Sequence, residues 1–268
     1  MSTKALFHLD PDPEADVIQA RRLIERAGIT HPPVDVARLA HIVGVSQIEL
    51  ADLESVDACL IQRRGGHIVL VNGNASLGRQ RFSIAHEIAH VLLKSTGTNF
   101  RKRKGAGRSS KEERLCNQLA AELLMPLHLF RRHMRECEPS LDWIIELSKT
   151  FDAAVEATAW RFAEVTPDQL EIICWENHED RILPKWIIGT EIASSWCAPQ
   201  DLVFPSNDQV FGPARAFESE RLVVSYERPN PNQRSALRFE SRRFRWREPH
   251  YVLSIVTGAS NTEEGTMT

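Results

Sequence analysis

Three observations predict an α+β fold for this chain of 268 residues. Through much of the first 165 residues, apolar side chains recur every three to four positions, as on one face of a helix. Two β-rich stretches joined by glycines interrupt that pattern. Beyond Thr166 and Pro167 it gives way to short runs, LEIICW, KWIIG, RLVVSYE, RFRW and YVLSIV, divided by Pro, Asn and Gly. These read as an antiparallel β-rich second domain. The length suits one main domain with a smaller appendage.

The elements follow from local signals. Asp12 as N-cap and Pro13 at the first helical position open a helix that carries Val17, Ala20, Ile24 and Ala27 inward and stops at Gly28. After Pro32 and Pro33, VDVARLAHIV repeats the apolar period and ends at Gly44, a second short helix. CLIQ and HIVLV flank Arg63, Arg64, Gly65 and Gly66, which form a hairpin whose glycines supply the turn. Residues 76–93, SLGRQRFSIAHEIAHVLL, contain no β-branched run and set Phe82, His86, Ala89 and Leu93 on one helical face. The basic stretch 101–108 reads as a solvated loop. A helix then starts near Ser110 and runs to Pro126, which opens another carrying LHLFRRHMREC. LDWIIELSKTF and VEATAWRFAEV give two more, separated by Asp152 and Ala153.

Composition narrows the function classes. With 42% hydrophobic and 26% charged residues the chain is an ordinary globular one, neither disordered nor collagen-like. Lys+Arg 33 against Asp+Glu 36 leaves a net charge of −3, so no global basic field favours nucleic acid. Cys59, Cys116, Cys137, Cys174 and Cys197 are scattered, odd in number and without a CxxC pair, which suits a reducing compartment. The first residues, MSTKALFHLDPDPEADV, place acids and prolines where a signal peptide needs an apolar core. No run approaches the roughly 20 apolar residues that span a bilayer. The expectation is a cytoplasmic protein with no membrane contact.

One motif carries chemistry. His86, Glu87, Ile88, Ala89 and His90 form an HExxH pattern. Four residues at about 100° each bring the two imidazoles to about 40° apart on one helical face, so both can point at one ion. Glu87 falls one residue along, beside the open coordination position, where its carboxylate can take a proton from water. Zinc lowers the pKa of such a water from about 15.7 to about 7. With 10 His and at most 36 acids in the chain, chance yields roughly 0.05 such patterns. The alternative, two histidines merely packed in an apolar helix, leaves polar groups buried among Phe82, Ile84, Ile88, Val91, Leu92 and Leu93 at a cost in free energy. A catalytic zinc takes three protein ligands and leaves the fourth position open. The next helix offers Glu113 and Glu122, nine residues apart and on opposite sides. Glu122 could be a solvated carboxylate, and Glu113 could close a capping box with Ser110. Spacing leaves both open and leans only slightly to Glu113.

RFSIAHEIAHVLL together with ERLCNQLAAELLMP, preceded by PPVDVARLAHIVGV, closely resembles the ImmA/IrrE family of bacterial zinc metallopeptidases. The resemblance is strong over about residues 15–127, weaker to 165 and faint beyond. It implies Zn2+ held by His86, His90 and Glu113, with Glu87 as general base and Asn117 as an orienting residue one turn along. It also implies a zincin-like core in which a strand edge beside the metal takes the substrate backbone, with HIVLV as the candidate strand. No side chain is assigned to the oxyanion, since the two tyrosines, Tyr226 and Tyr251, lie in the poorly matched half.

Weaker signals have plainer readings. LSKTFDAAVEATAWRF has helix-turn-helix spacing, but Asp152 stands where the turn usually takes Gly and Glu156 would face DNA with a negative charge, so packing is favoured over DNA reading. In RFESRRFRWRE, Arg243, Arg245 and Arg247 alternate with Phe244 and Trp246, read as a strand with its aromatics in the core. Cys116 reads as a small buried residue.

The resulting expectation is a zincin-like metallopeptidase domain over residues 1–125, a helix-turn-helix-like helical segment over 126–166 and a β-rich, GAF-like sensor over 167–268. By resemblance, the substrate is a helix-turn-helix transcriptional repressor, cleaved in stress response or mobile-element derepression, with nucleic acid not a direct ligand. The alternative is a non-proteolytic regulator that binds DNA or a repressor, with zinc structural or absent.

Overall fold

The computed structural model describes residues 15–54, 56–95, 110–134, 139–190, 203–205, 224–229, 236–244 and 251–258. Within them the order is α1 (Ala15–Arg26), α2 (Val36–Ile42), β1 (Val45–Ala51), β2 (Ala58–Arg63), β3 (Gly66–Asn72), α3 (Leu77–Ser95), α4 (Ser110–Leu124), α5 (Leu127–His133), α6 (Leu141–Thr150) and α7 (Val155–Val165). Strands β4 (Leu170–His178), β5 (Arg181–Gly189), β6 (Phe204–Pro205), β7 (Val224–Pro229), β8 (Ala236–Phe244) and β9 (Tyr251–Gly258) follow. The fold is α+β. The chain divides into two compact units: one holds the described residues up to 134 with 145–161, the other 139–144 and those from 162 onward.

In the first unit the helices form where the apolar period places them. Val17, Ala20, Ile24 and Ala27 of α1 are buried; the expected cap at Asp12 and Pro13 lies outside the described residues. The Asp35 side chain accepts a hydrogen bond from the Arg38 N–H and caps α2. Helix α3 is buried at every position from Ser83 to Leu93 except His86, so it is the central helix and His86 is its opening to solvent. It packs against α1, α2, α4, β2 and β3. Its first turn lies so close to the α6–α7 turn that a Cβ on Gly78 would sit 2.7 Å from the Ala153 carbonyl carbon, hence the glycine. Arg81 fixes the same junction, donating from Nε to the Asp152 carbonyl at 3.0 Å and from Nη2 to the Val34 carbonyl at 2.6 Å. Burial lowers the pKa of this guanidinium, with Asp152 and Asp35 pulling it back up.

The hairpin forms as expected, with Gly65 at φ 103° in its turn. Its place in the sheet differs from expectation. The order is β1-β3-β2, with β3 parallel to β1 and antiparallel to β2. HIVLV therefore lies on the central strand and offers no edge. The strand that covers it, β1, carries little periodic signal: its positions are mostly exposed or half-exposed, with only Val45 buried. Among the described residues, β2 is the edge strand of this sheet that packs on α3. The Asn72 N–H bonds to the Asp57 carbonyl at 2.8 Å, and an antiparallel ladder alternates from there. In this register Cys59, Ile61 and Arg63 bond to β3, while the backbone groups of Ala58, Leu60 and Gln62 face away from it.

In the second unit the sheet runs β6-β5-β4-β9-β8-β7, with every pair antiparallel. Residues 170–175 of β4 and 252–256 of β9 are buried on both faces. The buried Trp175 Nε1 donates to Ser254 Oγ at 2.9 Å, and Ser254 Oγ lies 2.6 Å from Ser241 Oγ. The arginine alternation on β8 is the reverse of that expected. Register with β9 puts Phe239 and Ser241 on a covered face, and Arg243 follows them there by the period of two. Phe244 shares its face with Arg242 and stacks, half-buried, on Tyr251. Arg245, Trp246 and Arg247 lie outside the described residues, as does the basic stretch 101–108. Near the start of α6 the Glu240 carboxylate accepts from the Leu141 N–H at 3.0 Å; burial raises its pKa.

Candidate metal centre

Helix α3 brings His86 and His90 to one side, one turn apart, and α4 crosses that side. The two imidazole Nε2 atoms lie 3.2 Å from each other. Glu113 of α4 completes the group, one carboxylate oxygen 3.2 Å from His86 Nε2 and the other 3.8 Å from His90 Nε2. Glu87, on the same helix, is 3% exposed, far from the solvated state of an ordinary glutamate.

The opposite nitrogens decide what those three atoms can be. His86 Nδ1 is 2.9 Å from the Asn117 amide oxygen. An amide oxygen only accepts, so a neutral His86 carries its proton on Nδ1 and offers the Nε2 lone pair. His90 Nδ1 faces a Glu112 carboxylate oxygen at 3.4 Å and Cys116 Sγ at 3.2 Å. A carboxylate also only accepts, so a neutral His90 carries its proton on Nδ1 and offers the Nε2 lone pair. Two imidazole nitrogens and a carboxylate thus converge, a donor set that a cation can join. Metal–ligand distances of about 2.0–2.2 Å imply tetrahedron edges of roughly 3.3–3.6 Å. The Nε2–Nε2 separation of 3.2 Å and the 3.2 Å from His86 Nε2 to one Glu113 oxygen lie near that edge length, with the other oxygen 3.8 Å from His90 Nε2; N,N,O is a donor set zinc accepts.

A second grouping is possible in principle, since His86, His90 and Cys116 each offer a donor atom within 4.8 Å of the others. The thiol, however, addresses Nδ1 of His90, across the ring from the nitrogen that meets His86 and Glu113. One ion cannot occupy both sides of one imidazole. The grouping through Nε2 has the carboxylate and both rings, and the thiol stands behind it.

The two acids of α4 that the sequence offered as ligands, Glu113 and Glu122, separate cleanly. The Glu113 carboxylate points to the histidines. Glu122, 2% exposed, is not solvated. It pairs with Arg21 Nε at 3.0 Å and Arg161 Nη2 at 3.1 Å, and it accepts from the Leu127 N–H at 3.3 Å. Arg161 is itself 3% exposed, so the one basic side chain of α7 is turned inward. Asp152 holds the α6–α7 turn at φ 48°, a left-handed conformation that Asp tolerates better than most residues. Glu112 and Cys116 are the site neighbours that sequence reasoning missed. Their signal is the four-residue spacing that repeats Glu113 to Asn117 one position earlier.

The Peptidase M78 family model, described as the IrrE N-terminal-like domain, matches residues 43–163 and so covers both α3 and α4. Over 113 residues the chain is 31% identical to the radiation response metalloprotease IrrE of Deinococcus deserti, an alignment covering 40% of each chain. The IrrE of Deinococcus radiodurans is 29% identical over 105 residues, 38% of this chain and 32% of that one. The chain thus aligns with well under half the length of these relatives. A Mycobacterium tuberculosis transcriptional regulator shares the fold, with a TM-score of 0.62 at 14% identity, over 92% of this chain and 88% of that one. The IrrE-like segment ends within α7, so the helices after Pro126 are part of what the family model matches.

Among the described residues no helix is long and apolar enough to cross a membrane. Cys59, Cys116 and Cys174, the cysteines within them, are free thiols.

Proposed function

We propose that this chain is a zinc-dependent endopeptidase. The observation that carries the reading is the convergence of the Nε2 atoms of His86 and His90 with the Glu113 carboxylate, with an acceptor oxygen near each Nδ1. These three residues would hold the metal. When bound there, zinc supplies the Lewis acidity that makes water a competent nucleophile near neutral pH. Glu87 takes the proton of the attacking water on a carboxylate oxygen and passes it to the leaving amine, and its burial keeps bulk water from competing. Asn117 keeps His86 turned toward the site through Nδ1. The substrate backbone joins the edge of β2 as an extended strand at Ala58, Leu60 and Gln62, where the sheet register turns its hydrogen-bonding groups outward.

The name of the Deinococcus relatives supports a role in stress response, and the family resemblance supports a helix-turn-helix repressor as substrate. Free thiols support a cytoplasmic location. We assign the peptidase domain to residues 1–125 and the helix-turn-helix-like segment to 126–166. The segment serves as packing, because Arg161 is spent on Glu122 and not available to phosphate. Residues 167–268 form a β-rich, GAF-like sensor or docking domain. The test incubates wild type and Glu87→Gln, both zinc-loaded, with the repressor encoded beside this gene. The expected result is cleavage by wild type and a rate about 10²–10⁴-fold lower in the variant. Equal cleavage by both, or none by either, overturns the reading.

A further inference from the structure

Helix α4 serves the two histidines by two parallel rows. Glu113 and Asn117, four residues apart, address the two nitrogens of His86, at 3.2 and 2.9 Å. Glu112 and Cys116 form the same pair one position earlier, and both reach Nδ1 of His90, at 3.4 and 3.2 Å. Residues four apart lie over one another on a helix, and a shift of one residue turns the row by about 100°. One helix therefore presents one row to each ring. The rings are not treated alike. His86 is 15% exposed and held by a neutral amide, whereas His90 is 2% exposed and backed by a carboxylate and a thiol.

From this geometry we propose that Glu112 is the positioning residue for His90. Its carboxylate accepts the Nδ1 proton, fixes the ring with Nε2 toward the metal and makes that nitrogen a stronger donor. Cys116 closes the space behind the ring and is not a ligand. This rests on the metal reading above and adds a residue to it. The sequence gives it independent sense, because a buried imidazole without an acceptor at its second nitrogen is free to turn and present the wrong one. The thiol alone is a weak acceptor and would hold the ring poorly.

The test measures zinc affinity by chelator competition in wild type, Glu112→Ala, Glu112→Gln, Cys116→Ala and His90→Ala. Visible and near-ultraviolet spectra of the Co2+ forms accompany it, and melting of each metal-free protein verifies folding. We expect Glu112→Ala to weaken zinc binding by about 10–100-fold, the range for an outer partner of a ligand histidine. Glu112→Gln, whose amide oxygen still accepts, recovers most of that loss. Cys116→Ala stays within about threefold of wild type, and no thiolate charge-transfer band appears in the Co2+ protein. Wild-type affinity in Glu112→Ala while His90→Ala loses zinc overturns the role of Glu112 and leaves the metal site standing. A thiolate band that Cys116→Ala abolishes makes the thiol a ligand and overturns the proposal. Wild-type affinity in His90→Ala brings down the metal reading itself.

Discussion

Two of the three glutamates of α4, Glu113 and Glu122, sit nine residues apart on one helix and live in opposite electrostatic worlds. Glu122 is enclosed at one end between the guanidinium groups of Arg21 and Arg161, its charge answered and its oxygens hydrogen-bonded. Glu113, a third exposed at the other end, faces the Nε2 atoms of the two imidazoles. The first arrangement is complete as it stands. The second sets a carboxylate beside two imidazoles, the donor set that we propose a divalent cation joins. The difference teaches that burial alone does not mark the ligand among carboxylates; the charge of the neighbours does. The more deeply buried acid is the structural one, holding α1 and α7 to α4, and the more open acid is the one with unfinished chemistry.

The comparison can be broken by exchanging the expected losses. Glu113→Ala should weaken zinc binding by more than the about 100-fold ceiling of an outer partner, with metal-free stability unchanged within about 0.5 kcal/mol; chelator competition and urea unfolding measure the two. Glu122→Ala should do the reverse. It strands a buried Arg161 and should lower stability by about 3–5 kcal/mol, while each folded molecule still binds zinc. Replacing both partners with apolar residues, Glu122→Leu with Arg161→Met, should recover most of that loss, because no uncompensated charge remains. Should Glu122→Ala lose zinc while staying stable, the two acids have been assigned the wrong way round.

Smaller effects sharpen the contrast. Gly78→Ala pushes a methyl group into the Ala153 and Ala154 backbone and should cost about 1–3 kcal/mol in thermal or urea unfolding. Glu240 provides a third kind of carboxylate, half-buried and bonded to the Leu141 N–H. Desolvation raises its pKa, Asp142 adds to the rise, and the Leu141 bond, Arg238 and Arg242 oppose it. The folded state therefore holds this proton more tightly than the unfolded chain, whose glutamates titrate near about 4.3. Its contribution is fully present below that pH and is lost as pH rises through the higher folded value. Glu240→Gln should flatten the decline in stability across that window; an unchanged pH slope contradicts the assignment.

Much of this was legible in the sequence because it is local. Helical period, the Gly28 and Gly44 stops, Pro126 ahead of α5 and the hairpin turn are set by neighbours in the chain, and the elements appear there. What was not legible depends on distant partners. HIVLV looks like an edge strand until β1, with its weak alternation, pairs with its far side. Glu113 and Glu122 differ only by what Arg21, Arg161 and the two histidines do from other helices. The face of Arg243 was misread because pairing of β8 with β9, not the strand's own alternation, decides which side is covered. The HExxH motif, by contrast, is both local and chemical, and α3 delivers its two rings as the spacing requires.

The central claim is that one cation binds at the nitrogens His86 and His90 share with Glu113. Zinc K-edge absorption of the zinc-loaded protein tests it directly. The account predicts a shell of nitrogen and oxygen alone at about 2.0–2.2 Å, which loses an oxygen scatterer in Glu113→Ala. A sulfur scatterer near about 2.3 Å, or a shell indifferent to that substitution, contradicts it.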